Sequence, residues 1–193
     1  MLKKVILISG KARMGKDTFA YMASGFFNVL GIKSEVMHFS DKLKEVAKNM
    51  GWDGNKDLRG RTLLQKLGTE VGREYDVDLW VKFVAKRIDE SDSTFIFLPD
   101  WRYPNEYTSL IDILTASKNN TYDFLTIRIS PQSGYGFTND LNEEQKNHIS
   151  ETSLDCFDFD FVIYRNGDGK EGLKSVLEGI DRIQIWNNLG GKK

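Results

Sequence analysis

Short apolar runs alternate along this chain with longer stretches of helical period. "KKVILIS", residues 3–9, is a near-continuous apolar run bounded by lysines and by Gly10. That pattern suits a strand buried on both faces. Beyond Gly15, apolar residues recur as Phe19, Met22, Phe26, Phe27 and Leu30. One apolar helix face is expected there, ending at Gly31. "SEVMHFS" reads as a second strand, and "SDKLKEVAKNMG" as a helix opened by Ser40 and closed by Gly51. "LRGRTLLQKLGTEVGREY" and "DVDLWVKFVAKRIDE" read as two further helices.

The second half repeats the alternation. "STFIFLPD" is a buried strand, "YPNEYTSLIDILTAS" a helix and "YDFLTIRIS" a strand. "PQSGYGFTNDLNEEQKNH" is long, polar and glycine-bearing, so it predicts a lid, a binding loop or a disordered segment. "FDFDFVIYRN" is a short strand, and "GKEGLKSVLEGIDRIQIW" a closing helix. Strands separated by helices predict an α/β fold, with a parallel sheet covered by helices on both faces.

Composition narrows the class. With 193 residues, 40% of them hydrophobic, the chain can bury one substantial core. Its formal net charge of -1 gives no general case for nucleic acid or an anionic membrane as partner. A small anionic ligand held by a local basic cluster stays compatible with it. Cys156 is the single cysteine, so no internal disulfide can form, and a reducing cytoplasmic setting is expected. Neither a signal-peptide pattern nor an apolar run of membrane-spanning length is visible.

The candidate chemistry starts in "GKARMGKDT". Gly10, four residues, Gly15 and Lys16 match the G-x-x-x-x-G-K part of a phosphate-binding loop. The run follows a buried strand and opens a helix, which is the context the motif needs. Its glycines let backbone N–H groups curl round phosphate, and the helix N-terminus adds positive potential. Lys16 can reach the outer phosphates of ATP, and Lys11 and Arg13 add cations. Where the motif asks for Ser or Thr, the chain has Asp17, with Thr18 next. A carboxylate there makes sense if Mg²⁺ lies between it and phosphate. The alternative is an acid stabilised by the helix dipole.

Three other stretches carry polar groups at telling positions. Arg61, Gln65, Thr69 and Arg73 fall at successive i+4 steps and form one polar stripe, suited to a base edge and a phosphate, although such a stripe taken alone is more often a solvated face beside a packing groove. Trp80 could stack on a base, although a Trp at helical spacing is more often core. Asp41 follows the second strand and Asp100 ends the third, the sheet edge where α/β folds bind ligands. Asp100 could hold Mg²⁺ through water, and Arg102 could neutralise phosphate charge. His148 and Glu151 border the polar loop.

Together "GKARMGKDT", "LLQKLGTEVGR…DLW", "DWRYPNE" and "HISETSLD" resemble the deoxynucleoside monophosphate kinases of bacteriophages and bacteria. The resemblance covers nearly the whole chain. It implies a single P-loop kinase domain with a parallel five-stranded sheet, an acceptor-binding lobe at about 41–90 and a lid at about 130–150. It implies transfer of the γ-phosphate of ATP to a deoxynucleoside monophosphate with Mg²⁺ as cofactor. On that resemblance Lys16 is the phosphate-binding lysine and Asp17 a family trait. Gln65, Thr69, Arg73 and Trp80 fall in the acceptor motif, and Asp100 and Arg102 in the D-x-R motif. Glu151 is placed with the acceptor residues. The expected partners are ATP and the monophosphate, with no nucleic acid or membrane and with a homodimer left open. No arginine lies between Pro131 and Glu151, so Arg128, Lys146, His148 or Arg102 would have to serve the lid. A different phosphorylated acceptor (phosphomevalonate-like) and a non-catalytic nucleotide-binding protein are the alternatives.

Overall fold

The computed structural model describes residues 1–132, 146–165 and 170–190. Five strands form one sheet: β1 (Leu2–Ser9), β2 (Ser34–Val36), β3 (Phe95–Leu98), β4 (Thr121–Pro131) and β5 (Phe161–Arg165). All pairings are parallel and the spatial order is β2-β3-β1-β4-β5. β1 lies at the centre, with Ile6 opposite both Phe97 and Leu125. The apolar runs are continuous because both faces are covered. Ile6 and Ile8 point into one core with Phe19, Phe27, Phe97 and Ile183. Val5 and Leu7 point into the other with Val81, Ile88, Leu98 and Leu110.

The helices are α1 (Lys16–Val29), α2 (Asp41–Asn49), α3 (Leu58–Gln65), α4 (Leu79–Glu90), α5 (Pro104–Ala116), the short α6 (Ile149–Thr152) and α7 (Lys170–Asn188). α1 and α7 supply the first core, α4 and α5 the second. The five-stranded parallel sheet expected from the strand pattern is therefore present. The expected lid falls mostly on residues outside the described ones.

Several local expectations change. On α1 the buried face is Phe19, Ala20, Ala23, Ser24 and Phe27, while Met22 and Leu30 are exposed. Small residues let α1 lie close to the sheet, where Phe27 stacks on Phe95 with centroids 4.2 Å apart. β2 ends at Val36; the Met37 N–H still donates to the Phe97 carbonyl of β3 at 2.9 Å, and the N–H groups of Phe39 and Ser40 then turn to the Asp100 carboxylate at 2.9 and 3.0 Å. Lys3 is buried and donates to the carbonyls of Ile88, Asp89 and Ser91 at 2.5, 2.9 and 2.6 Å. It thereby satisfies the carboxyl end of α4, and burial lowers its pKa.

The predicted long helix over "LRGRTLLQKLGTEVGREY" divides. Its first part is α3, and Lys66–Arg73 continues as a π-helix. A wider turn at this point leaves room beside the helix, and π-helical segments occur frequently at functional sites. The indole of Trp80 packs there. Its Nε1 donates to the Gly68 carbonyl at 2.9 Å. A Cβ on Gly72 would lie 2.5 Å from the ring.

Candidate active site

The loop between β1 and α1 takes the shape its glycines allow. Gly15 caps α1 with φ at 78°, in the left-handed region. A Cβ there would sit 2.3 Å from the Arg165 guanidinium at the end of β5. Arg13 also has a positive φ, 64°. Lys16 lies under the loop, its Nζ donating to the carbonyls of Gly10 and Lys11 at 2.8 Å each. Burial, then the Arg102 guanidinium, lowers the Lys16 pKa to about 8. A buried ammonium beside the loop amides is ready to meet an oxyanion.

A cleft of about 640 Å³ opens from this loop. That is ample for a small-molecule ligand. The lining of the cleft includes Arg13, Lys16 and Asp17 together with all four stripe residues, Arg61, Gln65, Thr69 and Arg73. Asp100, Arg102 and Glu151 lie along the same cleft. Tyr21 of α1, which the motifs did not single out, presents an exposed ring to it. A second, smaller cavity of about 190 Å³ lies on the other side of the loop, bordered by Met14, Gly15, Thr18, Phe19, Ile129 and Arg165.

The acids and bases of the cleft are paired in ways the sequence did not disclose. Asp17 Oδ1 lies 2.7 Å from His38 Nε2, and this bond lowers the Asp17 pKa. Burial alone would lower the His38 pKa, but the Asp17 bond and the nearby Asp100 and Asp41 outweigh it and raise it. Asp100 ties the carboxyl end of β3 to residues 39 and 40. Arg102 Nη1 donates to the Ser150 carbonyl at 3.0 Å and pairs with Glu151 Oε1. The other Glu151 oxygen accepts the Ala12 N–H at 3.0 Å. Lys11 donates to both Asp155 oxygens at 2.6 Å and to the Glu151 carbonyl at 2.7 Å. Arg128 donates to Asp155 at 2.9 Å and to Ser9 Oγ at 3.0 Å.

Arg73 lies deeper. Its guanidinium covers the Tyr103 ring at 3.8 Å, donates to the Val77 carbonyl at 3.3 Å and pairs with buried Glu106. Burial raises the Glu106 pKa, while Arg73 and the backbone N–H groups of Arg102 and Tyr103 pull it back toward the charged form. Thr69 Oγ1 is 3.0 Å from the Tyr103 hydroxyl. Arg61 Nε donates to the Lys56 carbonyl at 2.8 Å. Trp80 borders the cleft but is only 6% exposed, which leaves little of its ring for stacking. Asp41 is not among the lining residues; it accepts from Arg87 at 2.6 Å and from the His38 N–H at 3.1 Å.

Among the described residues no group of three or more His, Cys, Asp or Glu is gathered to hold a metal. The donors present fit a cation that arrives on phosphate oxygens and keeps most of its waters, as Mg²⁺ does. Asp17, which bonds His38 through Oδ1 but keeps 62% of its side chain exposed, and the exposed Thr18 are the protein oxygens at the start of α1 that such a cation could reach. Among the described residues no helix is long and apolar enough to cross a membrane.

No protein-family model matches the chain, and no curated protein matches it. Solved structures do. A gluconokinase from Sinorhizobium meliloti aligns over 98% of this chain and 98% of its own, with a TM-score of 0.51 and 10% identity. An APS kinase from Mycobacterium tuberculosis aligns over 94% and 98%, with a TM-score of 0.48 and 13% identity. The same enzyme in complex with AMPPNP and APS aligns over 94% and 98%, with a TM-score of 0.47 and 14% identity. At such identities the likeness is one of fold. The chain shares the α/β fold of that gluconokinase, a five-stranded parallel sheet flanked by helices.

Proposed function

We propose that this protein transfers the γ-phosphate of ATP to a deoxynucleoside monophosphate. One observation carries the reading. Lys16 and its neighbours Ala12, Arg13 and Asp17 line the same cleft as the stripe Arg61, Gln65, Thr69 and Arg73. The resemblance of "LLQKLGTEVGR" and "DWRYPNE" to the deoxynucleotide kinases supports the choice of acceptor.

The division of labour follows. ATP lies with its phosphates in the loop and its base in the smaller cavity beside Gly15 and Thr18. The acceptor phosphate rests on Arg73, and its base reaches Gln65 and the exposed ring of Tyr21. A phosphate oxygen is already nucleophilic at neutral pH, so no strong general base is required. Catalysis is positioning plus neutralisation of charge by Lys16 and Arg102. Mg²⁺, when bound, would be held by Asp17 or Thr18 and would neutralise phosphate charge. Asp100 keeps the strand ends in register so that Lys16 and Arg102 address the same phosphate.

A second acceptor class keeps its place for a specific reason. Trp80 is buried and Arg73 covers Tyr103, so the cleft presents fewer aromatic faces than the sequence promised. Another small phosphorylated acceptor would suit Arg73 equally well. ADP release should therefore be measured with Mg·ATP against deoxy- and ribonucleoside monophosphates and against phosphomevalonate. Release that depends on dTMP, dGMP or a cytidine-type deoxynucleotide supports the proposal. Release with phosphomevalonate alone replaces the acceptor, and release with none overturns the reading.

A further inference from the structure

We propose that Glu106 is the positioning residue of the acceptor site: one buried carboxylate sets Arg73 with one oxygen and the Arg102 loop with the other. The proposal rests on the phosphoryl-transfer reading above and goes beyond it in naming what aligns the two arginines.

The geometry is specific. Glu106 stands in the first turn of α5 and is 2% exposed. Its Oε2 accepts the backbone N–H groups of Arg102 at 2.7 Å and Tyr103 at 3.0 Å. Its Oε1 accepts from Arg73 Nη2. Arg73 is thus held on three sides: by Glu106, by the Tyr103 ring beneath it and by the Val77 carbonyl. A guanidinium has five N–H donors, and these two hydrogen bonds take two of them. The planar fork is fixed before a ligand arrives, which lowers the ordering cost of binding a phosphate.

A helix cap does not explain this arrangement. Closing the first turn of α5 needs one acceptor oxygen, which Oε2 provides and a neutral glutamine would also provide. Stability does not explain it either. Desolvating a buried carboxylate and guanidinium costs about as much as their attraction returns, and an apolar pair often does as well. What the charged second oxygen adds is a fixed relation between two elements distant in sequence, the π-helical segment that carries Arg73 and the strand-end loop that carries Arg102. Both border the cleft. Arg102 is anchored independently at its tip by Ser150 and Glu151. Loss of the Glu106 charge should therefore release Arg73 first and shift the Arg102 backbone second.

Glu106→Gln tests this in the intact protein, assayed with Mg·ATP and the monophosphate that best serves the parent. The glutamine carbonyl can keep the backbone bonds, while its amide turns a donor toward Arg73. KM for the acceptor should rise about tenfold or more, the loss expected for one charged hydrogen bond. The ATP Kd by calorimetry should stay within about twofold, because Glu106 does not reach the loop. In an Arg73→Ala background the same change should add less than about twofold, since the residue acts through Arg73. Glu106→Asp, which keeps the charge but shortens the arm, should give a smaller KM rise and covers the case in which the glutamine variant does not fold. Parental KM in either folded variant, or a full multiplicative effect without Arg73, would reduce Glu106 to a helix cap. A parent inactive with every monophosphate would sink the kinase reading and this proposal with it, whereas an active parent with indifferent Glu106 variants sinks the proposal alone.

Discussion

Lys16 offers a prediction whose size follows from its burial. Its pKa is lowered to about 8, with desolvation the leading cause and Arg102 the next. The free protein should therefore hold Lys16 uncharged in roughly one-tenth, one-half and nine-tenths of molecules at about pH 7, 8 and 9. ATP phosphates beside the amine favour its charged form by ~1–3 pH units. Binding must then draw in the missing proton, so uptake grows from about 0.1 protons at about pH 7 to between about 0.4 and about 0.9 at about pH 9, the larger value for the larger shift. The sign is fixed: a step that takes up a proton weakens as pH rises. Affinity for Mg·ATP should fall about three- to fivefold between about pH 8 and 9, or ~0.6–1 kcal/mol. Calorimetric titrations in two buffers of different ionisation enthalpy measure the uptake directly. Uptake that does not grow from pH 7 to 9, or that persists in Lys16→Met, would refute the reasoning.

Other outcomes follow from the same geometry. Asp17→Asn removes a charge that faces phosphate and pairs with His38, so ATP affinity in EDTA should rise while affinity in excess Mg²⁺ stays level or falls; an unchanged Mg²⁺ dependence would leave Asp17 as a helix-end acid. Arg73→Ala should raise the acceptor KM about tenfold or more with ATP binding unaltered, and a parallel loss of ATP affinity would move Arg73 to the donor side. Gly72→Ala would gain up to ~1 kcal/mol in an ordinary helix, but here the new Cβ meets the Trp80 ring at 2.5 Å. Overpacking of ~1–3 kcal/mol should outweigh that gain and lower the urea midpoint, and a stabilised variant would show that Trp80 yields easily.

The sheet was legible in the chain because its central strands β1 and β3 are buried on both faces. "KKVILIS" and "STFIFLPD" have no polar alternation to confuse them with surface strands, and the central pairing of β1 with β3 joins those two runs. The turn between β1 and α1 was legible because its glycines and Lys16 sit between such a strand and a helix. The π-helical turn was not, since α and π segments draw on the same residues and differ only in where the backbone bonds close. Trp80 shows the consequence. Its spacing allowed both a base-stacking and a core role, and the glycines at 68 and 72 settle its indole into the helix. His38, Glu106 and Arg165 were missed for a shared reason: each is defined by a partner far away in sequence. Glu106 left one trace, as the acid three residues after Tyr103 at the start of a helix, which is a capping position. Nothing in the local sequence could disclose Arg73 on its other oxygen.

The central claim is that phosphate moves from ATP to a phosphate already on the acceptor. The most direct measurement gives the protein γ-labelled ATP, Mg²⁺ and each deoxynucleoside monophosphate in turn, and separates the products by chromatography. The account predicts label in the deoxynucleoside diphosphate for at least one base, with none formed when Lys16 is replaced by Met. Label confined to ATP and inorganic phosphate with every monophosphate would contradict it.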